Sequence, residues 1–230
     1  MNTSIKTTPQ ERKLGFRVLF LGMFAIGTGQ TLFIAVLPPY ARGLGLSEVQ
    51  VGFIFSLSAL GWMLMSPYWG KRSDYLGRKS IIILGLIIYA ITTILMGVEF
   101  RLNELGVLNL STLFILLILT RGCYGFFGSG AHSASMAYVA DRTTERERSG
   151  VMAVMGSAFA ISGIVGPGLA SAAVMLGPLV PYFLFGGITA FIALLIFIYL
   201  PEKTKPIRPA KVHEARLTPF DSRVIAFALM

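Results

Sequence analysis

From Ser149 to Pro201 the sequence contains no Asp, Glu, Lys or Arg. As one helix that run would reach ~80 Å at 1.5 Å per residue, against a hydrocarbon core of ~30 Å. It must therefore fold back on itself. Gly177-Pro178-Leu179-Val180-Pro181 supplies the break, because each proline lacks an N–H and disfavours helix at the residue before it. Shorter charge-free runs extend from Val18 to Ala41, Val49 to Gly70 and Ser80 to Val98, each at or above the ~18 residues of a spanning candidate. Between Leu105 and Ala140 the only formal charge is Arg121, so one long helix with a buried cation is expected there. The sequence thus predicts an all-α transmembrane chain with spans over 18–41, 49–69, 80–98, 111–140, 149–176 and 182–200. Residues 1–17 precede this six-helix unit of 18–200.

Only 13% of residues are charged and 54% are hydrophobic, where soluble domains carry ~25% charged residues. The excess of 20 Lys and Arg over 11 Asp and Glu could suit nucleic acid or a membrane surface, and its placement selects the membrane. Lys6, Arg12, Lys13 and Arg17 precede the first span. Lys71, Arg72, Arg78 and Lys79 separate the second from the third; Arg142, Arg146 and Arg148 follow the fourth; a further group runs from Lys203 to Arg223. The opposite side holds only Arg42 and Arg101. Both ends are therefore expected in the cytoplasm, with the first span retained rather than cleaved as a signal. The lone Cys123 permits no disulfide framework.

Residues 201–223, rich in Lys, Arg and Pro, read as a cytoplasmic linker. Residues 224–230 turn apolar again and read as the start of a seventh helix, so the sequence is expected to be a piece of a longer protein.

Gly70-Lys71-Arg72-Ser73-Asp74-Tyr75-Leu76-Gly77-Arg78-Lys79 falls in the basic loop between spans two and three. There Gly70 and Gly77 would permit a tight turn and Asp74 would cap span three. The loop resembles the signature Gly-x-x-x-Asp-x-x-Gly-Arg-Lys of the major facilitator superfamily, with every fixed position matched. The resemblance implies a conformational switch at the cytoplasmic ends of two six-helix halves, with Arg78 pairing Asp141 and with Arg142 opening a short basic connector. In span four, Arg121-Gly122-Cys123-Tyr124-Gly125 resembles the family's second motif. At 100° per residue Arg121, Gly125, Gly128, His132 and Ser135 share one stripe. A buried Arg is costly in lipid, so this face should line a cavity or meet another helix. A bond from Arg121 to neighbouring carbonyls, or a hydrogen bond from His132 within the bundle, are the structural alternatives.

Span five carries Gly163-Ile164-Val165-Gly166-Pro167-Gly168-Leu169-Ala170-Ser171, a partial match to the family's antiporter motif. Gly156, Ala160, Gly163, Pro167 and Ala170 form a small-residue stripe suited to close helix contact. Span one ends Leu37-Pro38, similar to the family's ending there, but holds no acid; Thr28, Gln30 and Thr31 are its polar candidates. That leaves His132, or an acid in another half, to carry a coupling proton.

The resemblance covers Arg17 to Thr204 and implies the N-terminal half of a 12- or 14-helix transporter, built from two inverted three-helix repeats. It further implies secondary active transport by alternating access, with ion-coupled efflux of drug-like or amphiphilic molecules in a bacterial plasma membrane. A symporter or facilitator of an organic anion, with Arg121 as counter-charge, and a non-transporting scaffold are the competing readings. An enzyme is not expected: there is no His-Glu-x-x-His, Gly-x-Ser-x-Gly or phosphate-binding loop, and no carboxylate is expected inside the membrane. No cofactor, metal or nucleic-acid partner is implied.

Overall fold

The computed structural model describes residues 9–201. They form α1 (Pro9–Gly43), α2 (Glu48–Leu76), α3 (Arg78–Glu104), α4 (Leu110–Cys123), α5 (Ser129–Asp141), α6 (Glu145–Met175) and α7 (Val180–Tyr199), with a π-helical turn at Tyr124–Gly128 joining α4 to α5. Counting α4–α5 as one span, six helices among the described residues are long and apolar enough to cross a membrane. The expected linker and seventh helix lie, but for Pro201, outside the described residues.

The helices overrun the charge-free stretches that announced them. Charge ends a hydrophobic run but not a helix, since Lys and Arg extend their stems along the chain to reach water. Local chemistry fixes the starts. Ser47 opens α2 and Thr144 opens α6 with reciprocal capping boxes through Gln50 and Glu147, and Asn109 caps α4 through the amide of Thr112. Between α6 and α7 the turn at Gly177 takes φ +147°, so the glycine-proline break stands where the sequence placed it.

The signature segment differs from expectation. Gly70 is helical within α2, and Asp74 lies in the last turn of that helix rather than capping α3. Gly77 alone makes the turn, at φ +94°, and is itself the residue before α3, with no side-chain cap. A one-residue link leaves no room for a separate capping loop.

Helix α1 packs on α6 and α7, α3 on α5 and α7, and α2 on α4 and α5. Two buried clusters result. One, around Leu19, Ile82, Tyr138 and Ile196, fills the end rich in Lys and Arg, called here the basic end; the other, around Phe33, Tyr89, Phe100 and Tyr182, fills the far end. Trp62 packs against both. Leu95, Phe191 and Phe197 are exposed, as a lipid-facing surface requires.

Small residues set the closest approaches. A Cβ on Gly29 would lie 1.4 Å from the Tyr89 hydroxyl, and one on Gly85 would lie 2.6 Å from the Ala131 amide. On α6 the residues Ala158, Ser162, Gly166 and Ala170 are buried. A Cβ on Gly166 would lie 1.8 Å from Thr31 Oγ1. Of the expected stripe, Ala170 alone turns inward, beside Gly166. Gly166 and Ala170 serve α1 within this bundle, whereas Gly156, Ala160, Gly163 and Pro167 are exposed on the other side of α6.

Candidate functional site: a central cavity and a latch at the basic end

Arg121 lies in the last turn of α4, 4% exposed. Its Nη2 donates to Gln30 Oε1 of α1, and Gln30 Nε2 donates onward to the Tyr124 hydroxyl at 2.9 Å. The guanidinium carbon lies 4.1 Å from the ring centre of Phe33 and 4.7 Å from that of Tyr124. Aromatic faces thus return a small part of what the cation loses by leaving water. No carboxylate among the described residues pairs with Arg121, and its Nε has no hydrogen-bond partner among them.

These groups border a cavity of about 580 Å³. Phe55, Trp62 and Phe159 supply aromatic walls, Ile34 and Met63 aliphatic ones, and Gln30, Ser58, Arg121 and His132 the polar points. The His132 ring stands edge-on to Phe159 at 5.1 Å and tilted to Trp62 at 6.1 Å. Its Nδ1 is buried without a partner among the described residues. The cavity is thus an apolar slot with one fixed cation, one imidazole and one amide.

Of the residues expected on this path, the structure brings together Gln30, Arg121 and His132. It places the others elsewhere. The π turn inserts an extra residue and rotates the following face. Gly125 abuts α2, where an added Cβ would lie 2.4 Å from the Ser58 carbonyl oxygen, and Gly128 sits under the Tyr124 ring. Ser135 bonds back to the Ala131 carbonyl at 2.7 Å. Thr31 donates to the Thr28 carbonyl at 2.8 Å, within reach of that of Ser162.

One acid was missed. Glu99 is 3% exposed within α3 and accepts a hydrogen bond from Thr120 of α4, while its Oε2 has no partner among the described residues. The expectation of no carboxylate inside the bundle is thus corrected. Glu99 ended a charge-free run and was taken as its boundary, but it continues the buried row Gly85, Tyr89, Thr92 and Met96. That three-four spacing was the available signal.

At the basic end, Arg78 gathers three helices. Its Nε donates to Asp141 Oδ2 at 3.0 Å and its Nη1 to the Gly70 carbonyl at 3.0 Å; it also contacts the Ser73 hydroxyl and Asp74. Nearby, Lys79 lies 5.4 Å from the Phe197 ring centre. Arg142 lies 3.6 Å from the ring centre of Tyr138, and both side chains donate to the Pro201 carbonyl, at 3.3 and 3.0 Å.

Comparison with known proteins fits this geometry. The chain is 29% identical to Multidrug resistance protein 2 of Bacillus subtilis over 88% of its own length and 48% of the relative's. It is 27% identical to Quinolone resistance protein NorA of Staphylococcus aureus, over 90% of itself and 51% of that protein. The fold superimposes on the human organic anion transporter MFSD10 (TETRAN) with a TM-score of 0.64 and 26% identity, covering 85% of this chain and 49% of that one. The chain thus spans about half the length of the curated relatives it matches. The sequence profile of the Major Facilitator Superfamily matches residues 19–229, nearly all of the chain, and to that superfamily the chain belongs.

Proposed function

We propose that this chain is the N-terminal half of a secondary transporter that moves drug-like or amphiphilic small molecules out of the cell by alternating access, coupled to a proton. The observation that carries this reading is the aromatic-walled cavity with Arg121 buried at its edge, built in the same bundle as the Arg78 latch. A cation placed where lipid would be costly belongs beside a water-filled or substrate-filled space. Substrate binds along Gln30, Arg121 and His132. The latch of Asp74, Arg78 and Asp141 biases the switch between access states, and the exposed small residues of α6 meet a second six-helix half. That the relatives are a multidrug and a quinolone resistance protein, each about twice as long, supports export and a two-half architecture. The basic end faces the cytoplasm of a bacterial plasma membrane, in keeping with its Lys and Arg.

The test is dye accumulation in inverted vesicles carrying the chain together with its second half. An imposed proton gradient should drive uptake that a protonophore abolishes. Dye movement that ignores the gradient removes coupling, and the absence of movement for a panel of amphiphiles removes the transport reading.

A further inference from the structure

The cavity states a charge preference, and it runs against a cationic substrate head group. Arg121 is buried with no acid paired to it among the described residues, and none of the described residues lining the cavity is Asp or Glu. Among the described residues its charge is met by the Gln30 oxygen and two ring faces, none of which neutralises it. A buried charge left uncompensated is an incomplete site. Arg121 and His132 both line this cavity, and each has a buried nitrogen, Arg121 Nε and His132 Nδ1, that is bonded to nothing among the described residues. A cation entering here would meet Arg121 as a like charge, and that repulsion is stronger beside a buried group than between groups in open water.

We propose that this half binds the anionic end of its substrate: an amphiphile with a flat aromatic body and a carboxylate or sulfonate head. The head pairs with the guanidinium of Arg121 where it lines the cavity, a charge-assisted contact, in the space that His132 also lines. The body stacks among Phe55, Trp62 and Phe159. This rests on the reading of the cavity as the transport cavity and adds the sign of the ligand's charge. The rival occupant of the same place is an acidic side chain from the second half, which would neutralise Arg121 internally and leave no preference for anions.

Three probes that share one body separate these: pyrenebutyrate, pyrenebutanol and pyrenebutylamine. They are titrated into the complete transporter in nanodiscs and read by energy transfer from Trp62, against a Trp62→Phe blank. The butyrate should bind at least ten-fold more tightly than the alcohol, and the amine no better than the alcohol. Arg121→Gln should bring the butyrate's advantage over the alcohol below about two-fold, whatever the affinity for the alcohol itself. If that variant binds neither probe, Arg121→Lys decides: a butyrate advantage that persists with the retained charge supports the proposal, and one that vanishes while the alcohol still binds overturns it. Equal binding of butyrate and alcohol by the unaltered protein, or tighter binding of the amine, also overturns it. Gradient-driven movement is scored separately in vesicles. A carboxylate preference without movement keeps the anion site and removes the efflux reading; movement without the preference does the reverse.

Discussion

Arg78 of α3 reaches Asp141 at the end of α5 with a 3.0 Å hydrogen bond while its other nitrogens hold the Gly70 carbonyl, Ser73 and Asp74 at the end of α2. One side chain thus reports on the relative position of three helix ends. The two acids are well exposed, and ion pairs of that kind contribute only ~0–1 kcal/mol. Asp74→Asn or Asp141→Asn should therefore leave membrane insertion and thermal stability within about 1 kcal/mol of the parent. Export rates should fall several-fold more than protein level. Undiminished rates at matched protein level would show that the latch is only a connection.

Gly166 and Gly163 separate packing from partnership. Gly166→Ala places a methyl against Thr31, an overpacking that typically costs ~1–3 kcal/mol, and Thr31→Ala should restore most of the loss because it removes the group that clashes. No described residue lies within 4 Å of a Cβ added at Gly163, so Gly163→Leu should fold normally, and the proposed packing of a second half on that face predicts slowed export. Thermal melts of the three variants beside their transport rates check both statements.

Glu99 and Thr120 join α3 to α4. Glu99→Gln keeps an acceptor for Thr120 and should cost under ~1 kcal/mol, whereas Glu99→Ala leaves Thr120 without its partner and should cost ~1–3 kcal/mol. A Gln variant as unstable as the Ala variant would mean that the carboxylate charge itself is held by the fold.

Much of the bundle was legible in the sequence for a simple reason: lipid forbids charge, so Ser149 to Pro201 could only be two spans with a turn at Gly177-Pro178. The latch was legible because its partners lie in a fixed local spacing, and Asp141 followed from the family resemblance. The cavity was half legible. Arg121 and His132 announced themselves as polar residues in an apolar span, but the π turn between them moved Gly125 and Gly128 off the expected stripe. A regular 3.6-residue period cannot anticipate one inserted residue. Glu99 was hidden by treating a charge as the end of a span.

Accessibility follows from that correction. In a Cys123→Ser background, Met63→Cys lines the cavity and should react with a water-soluble thiol reagent and be protected by substrate. Gly125→Cys, pressed against the Ser58 backbone, should be poorly folded or unlabelled. Labelling of position 125 in preference to 63 would move the aqueous path to the other side of α2.

The central claim is that Arg121 works in the transport path rather than as a structural tie. Gradient-driven export in inverted vesicles should be compared for the parent, Arg121→Lys and Arg121→Ala at matched protein level. Lys keeps the charge but loses the planar fork of donors that spans Gln30 and the cavity. The account predicts partial export for Arg121→Lys and loss of most export for Arg121→Ala. Normal export by Arg121→Ala would contradict it.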